Sequence, residues 1–196
     1  MKPFTVSLSL LMFALAIPPL NCFGKPPLSP DPKFLAIDQI VLLPVLDARA
    51  GKKENINLEK YLRGTAQKNL KSKNYQVILN DSFGNADQIV EEDLSDAKPD
   101  WIKRLGPSEA RWVMIVGIRD VHSKTTFGST GNAEVFGFLY DKENGVVWKG
   151  IGTGQVGQGG LLGMALKGVM SASAIQIATA NLLGSLPKLP KNKHAK

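Results

Sequence analysis

Residues Ile37–Arg49 read IDQIVLLPVLDAR. From Ile40 to Leu46 every side chain is apolar, which predicts a strand buried on both faces of a sheet. Pro44 interrupts this run. It has no N–H to give a ladder, so it belongs at the strand end or at an irregularity. The run closes on the polar pair Asp47 and Arg49, and the loop AGKKEN follows from Ala50.

Beyond this loop the pattern changes to helical spacing. Leu58, Tyr61, Leu62, Ala66 and Leu70 share one face of a helix expected from Leu58 to about Lys71, with Asn57 as its N-cap. The opposite face carries Lys60, Arg63, Lys68 and Lys71, and Lys73-Asn74 ends the helix. Tyr75–Leu79 then reads as a short strand, followed by turn chemistry from Asn80 to Asn85. The segment IVEEDLSDAKPDWIKRLGP predicts short helices, with Pro99 breaking them or opening the second and Gly106-Pro107 as a stop. Trp112–Val121 reads as a long strand, with Trp112, Met114, Val116 and Ile118 facing one way and Val113, Ile115 and Val121 the other. HSKTTFGSTGN, from His122, reads as a loop.

Glu134–Tyr140 and Gly145–Lys149 form a predicted hairpin around Lys142-Glu143-Asn144-Gly145, because Asn-Gly tolerates the positive φ of a tight turn. A last helix is expected from about Leu161 to Leu183. The expected order is β-α-β-α-β-β-β-α. The fold class is therefore α/β (α+β): a single domain with a mixed β-sheet, parallel early and antiparallel late, and helices packed on it.

An apolar strand ending near Pro44, an amphipathic helix, a short strand after Asn74, and a strand ending in Val116-Gly117 resemble a family of bacterial envelope domains. That family includes the amino-terminal domain of TolB, the curli-secretion lipoprotein CsgG and lipoprotein activators of penicillin-binding proteins. The resemblance covers about residues 36–185. It implies non-catalytic assembly, scaffolding or activation in the periplasm, and it carries over no catalytic residue.

The amino terminus points the same way. Lys2, the apolar run Leu8–Ile17, Pro18-Pro19 and the small residues before Lys25 have the three-part layout of a secretory signal peptide, with cleavage expected after Gly24. The apolar run is too short for a convincing membrane span. Cys22 is the only cysteine, so no intramolecular disulfide can form, and it is the candidate for lipidation. Pro19, Leu20 and Asn21 stand where a lipobox has Leu and small residues. Residues 25–35 read as a proline-rich spacer. The location expected is the periplasm or the outer membrane.

The 196 residues carry a net charge of +7, which is unevenly placed. No acidic residue follows Glu143, whereas Lys149, Lys167, Lys188, Lys191, Lys193 and Lys196 do. The stretch 186–196, LPKLPKNKHAK, reads as an extended, disordered basic tail able to meet anionic lipid or another acidic envelope surface.

Gly152-x-Gly154-x-x-Gly157 has the outline of a dinucleotide fingerprint. Such a site needs an acidic residue about 20 positions onward, and none exists there. No Walker lysine pattern is present either. The glycines are instead expected to supply positive φ and close packing where strand turns into helix. No cofactor, metal site or nucleic-acid partner is expected, and no catalytic group: His122 and His194 are the only histidines.

The expected function is an exported binding or assembly module. Its partner would be an envelope protein or a second copy, with Asp47, Arg49, Asp120 and His122 as candidate partner contacts. Two alternatives stand beside it. One is a ligand-binding or hydrolytic protein, which requires those four residues to converge in one pocket. The other is a membrane-associating oligomer built on the weakly charged last helix, whose small residues at four-residue spacing permit close backbone approach.

Overall fold

Leu43, Pro44 and Val45 divide the apolar run into two strands: β1 (Gln39–Leu42) and β2 (Leu46–Asp47). The computed structural model describes residues 32–50, 55–85, 89–126, 128–160 and 167–191. The uninterrupted strand expected from Ile40 to Leu46 is thus corrected at the proline, which has no ladder donor. The neighbouring amides find other acceptors. Leu43 N–H donates to Met114 O, and Val45 N–H to Glu59 Oε1 at 3.0 Å.

The first large helix starts as expected. The Asn57 side chain accepts from Lys60 N–H at 2.9 Å. A π-helical turn, Glu59–Arg63, then runs into α2 (Gly64–Ser72), with α1 being the turn Pro32–Leu35 within the expected spacer. Asn74 takes φ 71° and turns the chain into β3 (Gln76–Leu79). Two short helices follow, α3 (Glu91–Ser95) and α4 (Pro99–Lys103), the latter opened by Pro99. Gly106, at φ 61°, ends that segment.

The second half departs from expectation. β4 (Trp112–Thr126), β5 (Gly128–Asp141) and β6 (Gly145–Gly159) are all much longer than the sequence suggested. The expected loop at 122–132 is the outer part of a β4–β5 hairpin, paired from His122–Asn132 to Thr126–Gly128. The glycine-rich stretch is strand, not a join. Gly152 and Gly154 lack positive φ and are needed for close approach alone. A Cβ at Gly152 would lie 2.2 Å from Ala178 O, and one at Gly154 2.1 Å from Ala174 O, both on the last helix, α5 (Lys167–Gly184).

The sheet order is β3-β1-β4-β5-β6, with β2 also on β4. β1 runs parallel to β3 and β4; β4, β5 and β6 are antiparallel. One face carries α2 and α5 over a core of Ile40, Leu42, Leu62, Leu70, Met114 and Leu182. The other carries α3 and α4 over Val41, Leu43, Ile102, Ile115, Phe138 and Tyr140. The Tyr140 hydroxyl donates to Leu94 O at 2.8 Å and ties that second layer down. A bulge between Ile118 and Asp120 brings Val121 to the same core as Ile118, not to the opposite face as simple alternation predicted.

Two polar expectations change. Arg63, expected on the exposed face of its helix, is 5% exposed. Its guanidinium donates to Leu42 O at 2.9 Å, to Asn80 O, and to the carboxylates of Glu59 and Asp81. The start of the expected loose tail is docked. Leu186 and Leu189 are buried, Leu189 N–H donates to Lys73 O at 2.9 Å, and Tyr75 Oη donates to Pro187 O at 3.0 Å.

Candidate functional site

Arg119 divides one face of the sheet. Its side chain reaches back to Glu91 on α3, donates to Glu134 on β5 at 2.9 Å, and lies 5.6 Å over the Phe136 ring. The Glu134 hydrogen bond leads in holding this guanidinium above its ordinary pKa, against some burial and with support from Glu91. On the α4 side of Arg119 the sheet is covered. Beyond it, toward the hairpin tip, Asp120, His122, Asn132, Thr153 and Gln155 line an open depression of about 440 Å3. The bulge places Val121 in the core and sets Asp120 and His122 on this open face.

Within it His122 Nδ1 is 2.9 Å from Asp120 Oδ2, and His122 Nε2 is 3.4 Å from Asn132 Nδ2. Both members of the pair are more than half exposed. Asp47 and Arg49 form a separate pair. Arg49 grips both carboxylate oxygens of Asp47, at 2.8 and 2.9 Å, and its own N–H donates to Oδ1. β2 runs beside β4 with Asp47 opposite Ile118, whereas β5 and β6 line the depression from the other side. The four candidate contacts are therefore two separate pairs, and Asp47 and Arg49 do not line the depression that holds Asp120 and His122. The convergence that shared hydrolytic chemistry requires is not met there. Among the described residues no three His, Cys, Asp or Glu side chains are grouped to hold a metal ion.

The strand behind the depression is the sheet edge. Among the described residues β6 pairs with β5 alone, from Gly145 to Gly159 with an irregularity at Val147, and Thr153 O accepts from Asn181 Nδ2 of α5 at 2.8 Å. Ile151, Thr153 and Gln155 point away from α5 and are exposed, Ile151 to 56%. Asn132, Glu134, Thr153 and Gln155 were not singled out in the sequence. Their signal is a polar residue at every second position of 130–134 and again at 153 and 155, diluted by Gly, Ser and Thr that also read as loop. Cys22 and the Gly24 cleavage point lie outside the described residues, as does His194. No helix among the described residues is long and apolar enough to cross a membrane.

No family model matches the chain, and no curated protein matches it. Solved structures do. The PelC dodecamer from Paraburkholderia phytofirmans is 18% identical, with 76% of this chain and 89% of that one covered at a TM-score of 0.46. Lipoprotein GNA1162 from Neisseria meningitidis is also 18% identical, covering 67% and 94% at 0.44. The hypothetical protein CT253 from Chlamydia trachomatis is 15% identical, covering 76% and 91% at 0.43.

Proposed function

We propose that this chain is an exported, non-catalytic accessory module of a bacterial cell envelope, which docks a protein partner on the β6 edge and the polar sheet face beside it. The observation that carries the reading is the edge itself. Fifteen residues of β6 stand at the margin of the sheet, without a proline and with Lys149 as the only charge. Such an edge is a template for strand addition, in which main-chain bonds supply affinity and alternate side chains supply selectivity. The leader-like amino terminus supports export.

Two measurements test this. Intact mass of the protein recovered from the envelope fraction is expected to lack residues 1–24, or to carry acyl mass on Cys22. A cytosolic chain with its first methionine overturns the reading. A photo-reactive residue at Gln155 is expected to cross-link to a defined partner, with the link abolished by Ile151→Lys. Cross-linking that is diffuse and indifferent to Ile151→Lys removes the docking role. The mass of the adduct separates a second copy from a different protein.

A further inference from the structure

The docked start of the basic tail has a three-residue rhythm: Leu186-Pro187-Lys188-Leu189-Pro190-Lys191. An extended proline-rich chain makes one turn in three residues, so each residue type occupies its own side. The structure follows this rule. Leu186 and Leu189 are buried, while Lys188 and Lys191 are exposed. The strap is pinned by Leu189 N–H to Lys73 O, Asn74 Nδ2 to Leu189 O, Tyr75 Oη to Pro187 O and Lys73 Nζ to Leu186 O. It is therefore a fitted element that holds two ammonium groups outward, rather than a solubilising thread.

Its position matters as much as its charge. Leu35–Asp38, which lead in from the amino-terminal segment, and Leu189-Pro190 of the strap line one depression with Asn74 and Gln76. Both termini thus leave the domain at the same end, where α2 and α5 also finish. Only seven residues, 25–31, separate the expected cleavage point from the first described residue. At about 3.5 Å per residue they span no more than about 25 Å. Lys71 is exposed there, and Lys73 is close enough to Lys188 for the two charges to repel. The acidic group lining this depression is Asp38, beside Arg111, which also pairs with Asp141 and Glu143. Leu35 adds an apolar side chain that is 52% exposed.

We infer that this end of the domain is a contact surface for an anionic lipid bilayer, with Lys188 and Lys191 on the strap as its principal charges. The inference rests on the exported-module reading and adds orientation to it: the strap end faces the membrane, and the tip of the β4–β5 hairpin projects away from it. Lys193 and Lys196 follow Lys191 in the sequence with no acidic residue among them, which extends the same charge.

The test is vesicle co-sedimentation of the full chain, comparing phosphatidylcholine vesicles with vesicles containing phosphatidylglycerol. The apolar leader contributes to both, so the ratio isolates the electrostatic part. The expected result is a preference for the anionic vesicles that weakens with added salt. It should fall about fivefold for each of Lys188→Gln and Lys191→Gln, while Lys124→Gln on the hairpin leaves it unchanged. Equal binding to both vesicles, or a Lys188→Gln/Lys191→Gln double variant that keeps the preference, overturns the inference. A processed, envelope-located chain without anionic preference sinks this inference alone. A cytosolic, unprocessed chain sinks the reading beneath it.

Discussion

Asp141 gathers donors at the β5–β6 turn: Arg111 through two nitrogens, Glu143 N–H at 3.0 Å and Asn144 Nδ2 at 2.6 Å. Burial opposes its charge, yet these bonds prevail and hold the carboxyl below its ordinary value of 3.8. A carboxyl whose pKa is depressed on folding stabilises the native state above the unfolded value, and that contribution disappears as pH falls through the folded one. Asp141→Asn is therefore expected to lower stability by about 2 kcal/mol at pH 7. Urea midpoints should show the gap to the parent chain closing below pH 3.8. Arg63 plays a comparable part between helix and sheet. Arg63→Ala strips donors from Leu42 O and Asn80 O and is expected to cost about 3 kcal/mol by the same measurement. The turn was legible from Asn144-Gly145, because its backbone demand is local. The burial of Arg63 was not, because its acceptors come from β1 and the end of β3, about twenty residues away on either side.

The contact between α5 and β6 depends on what is missing from the strand. With no Cβ at Gly152 and Gly154, the helix backbone settles directly on the sheet, and Ala174 and Ala178 supply the smallest available helix face. Gly154→Ala forces a methyl to 2.1 Å from a backbone oxygen that can retreat only if the helix lifts. A loss of about 3 kcal/mol is expected, read as a fall in denaturant midpoint. Gly159→Ala, which meets nothing within 4 Å, should be nearly silent. The strands themselves explain why the sequence understated them. β-branched and aromatic residues mark the inner halves of β4 and β5, where two cores bury both faces. The outer halves, rich in Ser, Thr, Gly and Asn, form strand because antiparallel neighbours and α5 hold them there. Local propensity alone favours turns in such stretches.

Across the full chain, the strap links residues more than a hundred positions apart, joining Leu186–Leu189 to Lys73–Tyr75. Burial pushes the Tyr75 phenol up to about 12, in keeping with a hydroxyl fixed under the strap. Stopping the chain after Ser185 removes two buried leucines. At about 1.5–3 kcal/mol each before chain entropy, the net loss expected is about 3 kcal/mol, measurable as a lower melting temperature. Cleavage by trypsin at Lys73, which the strap covers, should then become fast. Element types, the mixed parallel and antiparallel order and the N-cap at Asn57 could all be read from the residues, since each rests on periodicity or on the conformational demand of a few neighbours. Strand lengths, the buried guanidinium of Arg63, the separation of Asp47-Arg49 from Asp120-His122 and the docking of the Leu-Pro-Lys strap came from the folded chain. They depend on which distant surfaces meet, and pairing partners, unlike spacing, leave no mark within a single stretch of sequence.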